Sequence, residues 1–539
     1  MHGLMQQRPL TIQYIFERAE MYFGSREIVT GTTDGIERMT FAEWTVRTRK
    51  VASVLDRLGI SATGRVATFS WNTSQHLELY FAAPCSGRIL HTLNIRLFPE
   101  QLVYIVNHAE DEVVFVDKSL VDQFWPHIHE LTTVRHVVII DDGAGEMPEA
   151  IDGVEVHEYE ALLADAEPAE WPSIDENQAA SMCYTSGTTG NPKGVVYTHR
   201  STYLHTMALM MVDAMAISQT DTVMPVVPMF HANAWGQAHA AIAAGANLVL
   251  PGPRMAPAQL ADLLESERVT ISAGVPTIWM GVLPELEGRD VSSLRAIPCG
   301  GSSVPKSLSE GYREAIGVPI LHAWGMTETS PIGTCCHLAP ELAGLDEEAK
   351  ADYRASIGRP VFGISLRVVD PDTLDPVLQD GESSGEIQVA GSWVTSGYYN
   401  DDRSPQSFTA DGWLRTGDMG AVDEHGYVRI VDRTKDIIKS GGEWVSSVEL
   451  ENEIMAHPAV AEAAVIGIPH LKWGERPIAC VVLHEGQSLT IEELHAHLDD
   501  RVVRWWFPDA VEQVDEIPKT SVGKFSKRTL RSKFEGYRL

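Results

Sequence analysis

The sequence predicts a layered α/β fold: a large N-terminal domain with several α/β sheets and a β-barrel-like region, followed by a small α+β C-terminal domain. Three observations predict it. The 539 residues allow several structural units at roughly 100–200 residues each. Short β-branched runs alternate with segments of helical spacing, which is typical of parallel βαβ units. The pattern changes after about residue 360 and again from Asp436, which indicates separate regions.

The predicted strands of the first region are short and rich in apolar and β-branched residues. Two segments near them, Phe41 to Leu58 and Ala258 to Glu267, carry apolar residues at helical spacing. Alternation of the two kinds of element predicts parallel strands in layered sheets. The strands are predicted at residues 66–71, 112–117, 136–140, 246–252, 269–274 and 319–324.

Beyond about residue 360 the sequence predicts a small, mostly antiparallel β region. Its runs ISLRVVD, GEIQVAG and YVRIVDR are separated by Pro-Asp, Asp-Gly and His-Gly turns. We therefore expect an N-terminal domain over 1–432, with the β-rich part at about 360–432, and a C-terminal domain over 436–539. The junction, 433–435, lies in the short charged segment DRTKD, which has no apolar anchor.

The chain has a strong acidic excess. Its 42 Lys and Arg and 74 Asp and Glu residues give a formal net charge of −32. This charge argues against a nucleic-acid binder, which needs a basic face, and against docking on anionic lipid. Small anionic ligands remain compatible, since they bind locally at loops and helix N-termini.

The cysteine pattern and the N-terminal segment favour a cytoplasmic protein. Six cysteines include no Cys-x-x-Cys pair, so free, mostly buried thiols in a reducing compartment are expected. The first twenty residues contain no long apolar segment, so no secretory signal is predicted. The apolar stretch from Ala232 to Leu250 contains polar residues and is interpreted as a buried helix followed by a strand.

A loop of glycine and hydroxyl residues, Thr185 to Gly194 (TSGTTGNPKG), follows the strand-like segment SMCY. Such residues let backbone N–H groups turn inward around phosphate oxygens, and Lys193 adds a positive charge. The loop lacks the Gly-Lys-Ser/Thr ending of a Walker A motif. Taken alone, it is interpreted equally well as a flexible turn with a solvated lysine.

This loop resembles the signature of the adenylate-forming superfamily, which includes acyl-CoA synthetases, non-ribosomal adenylation domains and firefly luciferases. Further segments match in the family's order across nearly the whole chain, and the ordered set is very specific. The resemblance implies the family's fold, with a mobile C-terminal domain. The matching segments are GGSS (300–303), HAWGMTE (322–328), GWLRTGD (412–418), DRTKD (432–436), KSGGEW (439–444) and PKTSVGK (518–524).

The resemblance implies an ATP-dependent ligase that joins a carboxylic acid to AMP and then passes the acyl group to the thiol of coenzyme A. The carboxylate is its own nucleophile, so the first step depends on positioning and on electrostatic stabilisation of the α-phosphate. Mg²⁺ is implied to neutralise the triphosphate, with Thr185 and Glu328 as its contacts. The implied small-molecule partners are thus the acid, ATP, Mg²⁺ and coenzyme A.

The family pattern also implies the nucleotide-binding positions. Asp418, placed at the end of a predicted turn, is implied to accept hydrogen bonds from the ribose hydroxyls, with help from Arg433. Trp324 is implied to stack on adenine, where the family more often has Tyr. The implied ATP- and CoA-binding set is Thr185, Ser186, Gly187, Thr188, Thr189, Gly190, Lys193, Gly301, Ser302, Ser303, Ala323, Trp324, Gly325, Met326, Thr327, Asp418, Arg433, Lys435, Lys439, Gly441, Gly442 and Trp444.

Three residues carry the implied catalytic roles: Lys524, Glu328 and His231. Judged by its surroundings alone, Lys524 belongs to an ordinary basic tail. The family pattern instead implies that its cation bridges the substrate carboxylate and the α-phosphate.

In the family, the C-terminal domain rotates about a hinge, which corresponds to Lys435 here. One orientation is implied to present Lys524. The other is implied to present Lys439 with Gly441 and Gly442, whose small size suits a pantetheine arm.

The acyl site is implied by a segment from Pro225 to Gly236 that resembles the substrate motif of acyl-CoA synthetases. His231 and Trp235 are implied to lie at its mouth. Gly274, Pro276 and Thr277 are implied to form another wall, and Trp444 is hypothesised to close over the tunnel.

Among acyl-CoA synthetases, the chain resembles bacterial medium- and long-chain fatty acyl-CoA synthetases and 3-(methylthio)propanoate–CoA ligases. It departs from them at residues 504–508 (RWWFP), where relatives usually have Lys-Trp-Gln before the proline. Homodimers are common in the family, so a homodimer is implied here.

Four alternatives remain at this point. A luciferase-like oxygenase and a carrier-protein adenylation enzyme share the fold, and the latter is disfavoured because no Ser-bearing carrier domain follows the last motif. A non-catalytic nucleotide sensor does not explain why Lys524, Glu328 and Asp418 occur together. A serine hydrolase is disfavoured because the sequence has no Gly-x-Ser-x-Gly elbow.

Overall fold

The computed structural model describes residues 1–185, 191–433, 435–441, 443–519 and 525–538, and for Glu443 the backbone alone. It confirms the α/β fold with a large N-terminal and a smaller C-terminal domain. The strands are β1 (Glu27–Gly31), β2 (Ile36–Thr40), β3 (Arg65–Phe69), β4 (Ile89–Thr92), β5 (Asp111–Asp117), β6 (His136–Ile140), β7 (Glu155–Glu158), β8 (Ala179–Tyr184), β9 (Gly194–Thr198), β10 (Thr222–Pro225), β11 (Asn247–Leu250), β12 (Ile271–Ala273), β13 (Ile297–Cys299), β14 (Ile320–Gly325), β15 (Ile332–Cys335), β16 (Arg359–Pro360), β17 (Ile364–Val369), β18 (Ser384–Gly391), β19 (Leu414–Val422), β20 (Val428–Arg433), β21 (Ile438–Ser440), β22 (Glu443–Val445), β23 (Val460–His470), β24 (Gly474–Leu483) and β25 (Ala510–Gln513).

The helices lie between and around these strands. The α-helices are α1 (Ile12–Tyr22), α2 (Phe41–Arg57), α3 (Ser74–Cys85), α4 (Pro99–Ala109), α5 (Val121–Phe124), α6 (Tyr159–Ala164), α7 (His199–Met210), α8 (Gln237–Ala244), α9 (Pro257–Ser266), α10 (Pro276–Val282), α11 (Lys306–Ile316), α12 (Glu347–Ala355), α13 (Ser447–Met455), α14 (Ile491–Leu498) and α15 (Lys527–Lys533). Short 3-10 helices occur at Lys118–Leu120, Trp125–Glu130, Ala232–Gly236, Leu283–Leu286, Thr327–Thr329, Pro340–Leu342, Ser404–Ser407 and Arg504–Trp506.

Two mostly parallel sheets form the layers of the N-terminal domain. Their strand orders are β7-β6-β5-β3-β4-β8-β9 and β12-β10-β11-β1-β2. In each, one terminal strand, β9 or β2, is antiparallel to its neighbour. The predicted parallel βαβ organisation is therefore correct, and the runs at residues 112–117 and 136–140 lie in β5 and β6.

The helices that pack on these sheets contribute large aromatic and small aliphatic side chains to the core. The rings of Phe16 and Trp44 lie 5.3 Å apart, and those of Trp44 and Phe81 lie 5.1 Å apart. Helix α8 is buried along its whole length, and six of its eight residues are Ala or Ile, as expected for a helix of mainly apolar composition. The stretch from Ala232 to Leu250 is thus a buried helical segment followed by β11, as predicted.

The predicted helix at residues 41–58 illustrates how local sequence sets an element's start. The Thr40 side chain accepts a hydrogen bond from the Glu43 backbone, and the Glu43 carboxylate accepts one from the Thr40 backbone N–H at 2.8 Å. This capping box satisfies N–H groups that the first helical turn leaves without partners. Helix α2 accordingly begins at Phe41.

The remaining sheets match the predicted change of texture. Strands β17-β18-β19-β20 form an antiparallel sheet, and β13-β14-β15-β16 connects it to the layers described above. In the C-terminal domain, β22-β21-β24-β23 packs against α13, and β25 adds to β24. Each of the six cysteines is buried and free, as expected.

In the part of the chain that the structure describes, no helix combines the length and apolar character needed to cross a bilayer.

Candidate active site

A cavity of about 1220 Å³ lies where the N-terminal domain faces α13 and α15 of the C-terminal domain. Most of the described residues that the sequence predicts for the site line this one cavity. They are Thr185, Lys193, His231, Trp235, Pro276, Thr277, Gly301, Ser302, Ser303, Ala323, Trp324, Gly325, Met326, Thr327, Glu328, Asp418, Arg433 and Lys435.

Four other predicted residues lie away from the cavity wall. Gly274 follows β12 and packs against the Trp279 ring, while Lys439, Gly441 and Trp444 belong to the β21–β22 hairpin. The remaining predicted residues, Ser186, Gly187, Thr188, Thr189, Gly190, Gly442 and Lys524, lie outside the described residues.

The two ends of the predicted phosphate loop are held together by a β-hairpin. Strands β8 and β9 are antiparallel, with Tyr184 opposite Gly194, and the Thr185 N–H donates to the Lys193 carbonyl at 2.9 Å. Both Thr185 and Lys193 consequently face the cavity. The Lys193 ammonium lies 4.2 Å from the centre of the Tyr398 ring, a cation–π contact that positions its charge.

Glu328 lies in the 3-10 turn that follows β14 and is 7% exposed. The Tyr398 hydroxyl donates to Glu328 Oε1 at 2.7 Å, and the Tyr197 hydroxyl donates to the Thr327 carbonyl at 2.7 Å. Burial and the Glu328 carboxylate raise the pKa of Tyr398, so its phenol remains a hydrogen-bond donor. These two contacts fix the carboxylate at the cavity wall.

Tyr398 and Tyr197 were not predicted from the sequence. Tyr398 follows β18, and Tyr197 lies within β9, so each is distant along the chain from Glu328. Each residue appears in the sequence only as an aromatic residue in or after a predicted β segment. Such a pattern does not show which distant group the tyrosine hydroxyl will contact in the folded chain.

Trp324 and Arg433 hold the two oxygens of Asp418. The Trp324 indole N–H donates to Asp418 Oδ2 at 2.9 Å, and Arg433 Nε lies 3.3 Å from Asp418 Oδ1. A Cβ on Gly333 would lie 2.6 Å from the Trp324 ring, so glycine allows the indole to pack against the backbone. Tryptophan at this position therefore supplies a hydrogen bond to the carboxylate as well as a flat apolar face.

The position of Asp418 differs from the predicted end of a turn. It lies inside β19, opposite Arg433 of β20. The preceding Gly417 has φ of 73°, and the β18–β19 register shifts at this level of the strand. A glycine that permits this φ creates a bulge, which explains why Thr-Gly-Asp has the composition of a turn within a long strand.

One side of the cavity is formed by an uncommon left-handed turn. Ala232, Asn233, Ala234 and Trp235 have φ of 42° to 53°, and Gly236 has φ of 74°. Positive φ costs roughly 1–2 kcal/mol for each residue with a Cβ. The buried Asn233 side chain offsets part of this cost by donating to Ser181 Oγ at 2.9 Å and accepting from Cys183 Sγ at 3.3 Å.

This turn places Trp235 at the cavity wall between polar and apolar regions. The neighbouring wall includes Pro276 and Thr277 at the start of α10. Met215, Met280 and Ile332 also line the cavity and were not predicted, because they come from distant segments. Apolar side chains next to polar groups are typical of a site for an amphiphilic small molecule.

A charged cluster in the C-terminal domain anchors the start of α15. The Lys527 side chain, 11% exposed, lies 2.8 Å from Glu451 Oε1 and donates to Ser447 Oγ at 2.5 Å. Burial lowers the pKa of Lys527, but the negative charges of Glu451 and Asp432 have the larger combined effect, so the pKa of Lys527 is raised. Lys527 therefore ties α15 to α13.

The segment RWWFP (504–508), where the sequence departs from its relatives, packs against Gly441 of the β21–β22 hairpin. Trp505 meets Trp473 edge to face, with ring centres 4.8 Å apart. A Cβ on Gly441 would approach the Trp505 ring to 2.9 Å and the Trp473 ring to 3.0 Å. Trp506, the second tryptophan of this segment, is partly buried and packs against the core of the C-terminal domain.

Because the family resemblance implies that Asp418 holds the ribose of ATP, we expect Trp324→Phe to raise the KM for ATP about tenfold while leaving kcat nearly unchanged. The reason is the lost hydrogen bond to the Asp418 carboxylate, since bonds to charged groups contribute roughly 1.5–3 kcal/mol. Trp413→Phe, away from the cavity, is the matched control. An ATP KM equal to that of the unsubstituted enzyme in a folded Trp324→Phe variant would show that the bond does not position Asp418.

Family models match both domains of the chain. The model described as AMP-binding enzyme matches residues 16–399, and that described as AMP-binding enzyme C-terminal domain matches residues 449–524. The chain is 43% identical over 538 residues to a 3-methylmercaptopropionyl-CoA ligase of Ruegeria lacuscaerulensis, covering 99% of each chain. It is 45% identical to a long-chain-fatty-acid–CoA ligase of Thermus thermophilus, covering 99% of this chain and 97% of that one.

Solved structures share the architecture over nearly the full length. The anthranilate CoA ligase AuaEII in complex with anthranoyl-AMP superposes with a TM-score of 0.85, at 25% identity and 98% coverage of both chains. ATP-bound MatB from Rhodopseudomonas palustris gives a TM-score of 0.82 at 27% identity, covering 97% of this chain and 99% of that one. With its fold, its ordered motifs and these relatives, the chain belongs to the AMP-binding adenylate-forming enzymes, in the acyl-CoA synthetase branch.

Proposed function

We propose that this AMP-forming acid–CoA ligase acts on an alkyl acid, either a fatty acid or a short acid such as 3-(methylthio)propanoate. One observation carries the proposal. The polar groups Lys193, Glu328 and Asp418 share a single cavity with an apolar wall that includes Trp235 and Met280. Such a cavity suits a carboxylate directed at the nucleotide and an alkyl chain against the apolar wall.

In the first step, a carboxylate oxygen attacks the α-phosphorus of ATP, an acyl-oxygen–phosphorus bond forms, and pyrophosphate leaves. Asp418 and Arg433 are proposed to hold the ribose, with Trp324 against adenine. Lys193 is proposed to bind the phosphates, and Lys524 to bridge the carboxylate and the α-phosphate. No proton is transferred, so catalysis rests on orientation and on fixed positive charge.

In the second step, the CoA thiol loses its proton to solvent water, and the thiolate sulfur attacks the acyl carbon. The carbon–sulfur bond forms as the carbon–oxygen bond to AMP breaks, and AMP leaves. His231 and Trp235 are proposed to lie at the mouth of the acyl site, because both border the cavity. Thr277 is proposed as part of the opposite wall.

The residues at one end of the cavity fit a magnesium ion. Glu328 offers a buried carboxylate held by Tyr398, and Thr185 offers a hydroxyl; both face the cavity. Oxygen donors of this kind suit Mg²⁺, which binds proteins through few carboxylates and through substrate phosphates. When bound, Mg²⁺ supplies neutralisation of the negative charge on the triphosphate.

We propose that 1–432 and 436–539 are the two domains and that 433–435 is a hinge. In the structure, Lys435 and residues 525–528 line the cavity, while Lys439 and Gly441 do not. This arrangement suits the first step, and a rotation that brings the β21–β22 hairpin to the cavity suits the second. Trp444 is proposed to reach the tunnel only after that rotation.

Lys435→Pro is expected to lower thioester formation at least tenfold more than it lowers adenylation. Proline fixes φ near −65°, so a backbone that must change conformation is restricted. The measurements are ATP–pyrophosphate exchange for the first step and acyl-CoA production for the whole reaction. Lys435→Ala, which keeps the backbone free, is the control. A parallel loss of both activities in the proline variant would remove Lys435 from the hinge role.

We also propose a cytoplasmic, homodimeric enzyme. The location rests on the ATP and CoA substrates and on the free, buried cysteines. The dimer is proposed from the family resemblance. Light scattering measures the molar mass of the purified protein, and the mass of a monomer would contradict this proposal.

Pyrophosphate release across straight-chain acids of three to sixteen carbons, 3-(methylthio)propanoate and benzoate, with and without CoA, tests the proposed function. We expect one of the alkyl acids to give a higher kcat/KM than benzoate and to form its CoA thioester. Pyrophosphate release that requires an aromatic acid would overturn the alkyl-acid proposal. An acyl-AMP that is never transferred to CoA would favour a carrier-protein or oxygenase reaction instead.

A further inference from the structure

One edge of the large N-terminal sheet carries imidazole and carboxylate groups that the ligase reaction does not use. Strand β7 is the edge strand and pairs in parallel with β6, with His136 opposite Glu155 and Val138 opposite His157. Residues two apart in a strand, and partners in register, point to the same face of a sheet. The side chains of His136, Glu155 and His157 therefore meet on one face, away from the active-site cavity.

The distances between these side chains match those between ligands of one metal ion. His136 Nδ1 and His157 Nε2 are 3.3 Å apart. Tetrahedral Zn²⁺ with Zn–N bonds of about 2.0–2.1 Å holds two nitrogens about 3.3–3.4 Å apart. Glu155 Oε2 lies 3.8 Å from His136 Nδ1 and 3.7 Å from His157 Nε2. Its side chain is 73% exposed, so a small rotation brings the oxygen to ligand distance.

The two imidazoles are largely shielded from solvent. Their side chains are 11% and 20% exposed, so their positions are set by the surrounding packing. A simple hydrogen bond between the two rings accounts for the 3.3 Å separation but not for the carboxylate directed at both nitrogens.

We propose that His136, Glu155 and His157 form a surface binding site for a divalent transition-metal ion, with Zn²⁺ as the ion that fits. Two imidazoles and one carboxylate form a ligand set that Zn²⁺ accepts with water in the fourth position. Imidazole ligands disfavour Mg²⁺ and Ca²⁺, which prefer oxygen. Bound metal joins the edge strand β7 to β6, and it stabilises the folded protein by an amount that rises with the logarithm of the free metal concentration above Kd.

The test is a Zn²⁺ titration by calorimetry of the full-length protein after removal of metals with a chelator. We expect the unsubstituted protein to bind one more equivalent of Zn²⁺ than the His157→Gln variant or the His136→Gln variant binds. Glu155→Gln, at an exposed position, should keep the fold and weaken that equivalent about tenfold or more. His127→Gln is the matched control, because His127 pairs only with Glu130 at 3.5 Å in the described hydrogen bonds. It should bind as the unsubstituted protein does.

A second readout separates metal binding from a structural effect of the substitutions. Co²⁺ in a tetrahedral site should give visible d–d absorption in the unsubstituted protein, lost in both histidine variants. Zn²⁺ should also raise the melting temperature of the unsubstituted protein more than that of either variant. Superimposable Zn²⁺ titrations of the unsubstituted protein and both histidine variants would overturn the proposal and leave a hydrogen-bonded histidine pair. Ligase activity should be unchanged in all of these variants.

Discussion

Lys524→Ala is expected to reduce acyl-AMP formation by about 10²–10³-fold or more, while thioester formation from supplied acyl-AMP persists. The cation is proposed to act where charge develops between carboxylate and α-phosphate, and loss of one fixed group of this kind typically costs that much. Lys524 lies outside the described residues. Phe525 and Ser526, which follow it, line the cavity, and Lys527 anchors the next turn to Glu451.

The two half-reactions are measured separately, by ATP–pyrophosphate exchange and by conversion of synthetic acyl-AMP with CoA. Lys519→Ala is the matched control, since this lysine pairs with Glu462 at 2.6 Å on the surface of the same segment. It should keep both activities. Equal loss of both half-reactions in Lys524→Ala, in a protein with an unchanged melting temperature, would contradict a role confined to adenylation.

Glu328→Gln is expected to lower adenylation about a hundredfold and to raise the Mg²⁺ concentration needed for half-maximal rate. The amide keeps the shape of the side chain and removes the charge. Glu328 is 7% exposed and faces the cavity with Lys193 and Thr185. A lost electrostatic contact in such a site typically has an effect of about this size. A magnesium titration of pyrophosphate release measures both quantities.

Tyr398→Phe separates charge from orientation at the same carboxylate. It removes the 2.7 Å hydrogen bond to Glu328 Oε1 and retains the negative charge. We expect a smaller loss than in Glu328→Gln, of about tenfold, because the charge is retained and a hydrogen bond to a charged group at the lower end of its usual range contributes roughly 1.5 kcal/mol. A Mg²⁺ requirement unchanged in Glu328→Gln, with folded protein, would remove Glu328 from the proposed metal site.

Much of the fold could be predicted because local patterns agree with the tertiary structure. The β-branched run at 136–140 is β6, and the capped amphipathic segment from Phe41 is α2. The β-rich texture after residue 360 is the antiparallel sheet β17-β18-β19-β20. Asp418 was placed wrongly in a turn because Gly417 introduces a bulge into β19, and composition alone does not separate a bulge from a turn.

The candidate site could be predicted where its residues lie in contiguous motifs. Its supporting contacts could not, because they join distant segments. Tyr398 meets Glu328 across 70 residues, and Trp324 meets Asp418 across 94. The left-handed turn from Ala232 to Gly236 has little composition signal, since three of its five residues, Ala232, Ala234 and Trp235, do not favour positive φ without tertiary support.

Transfer of an oxygen isotope tests the central claim of an acyl-AMP intermediate most directly. The acid is supplied with both carboxylate oxygens labelled as ¹⁸O, together with ATP, Mg²⁺ and CoA. The masses of AMP and acyl-CoA are then measured by mass spectrometry. Attack of the carboxylate on the α-phosphorus predicts one ¹⁸O in the phosphate of every AMP and one in the acyl-CoA. Unlabelled AMP, or ADP and phosphate as the nucleotide products, would contradict the account.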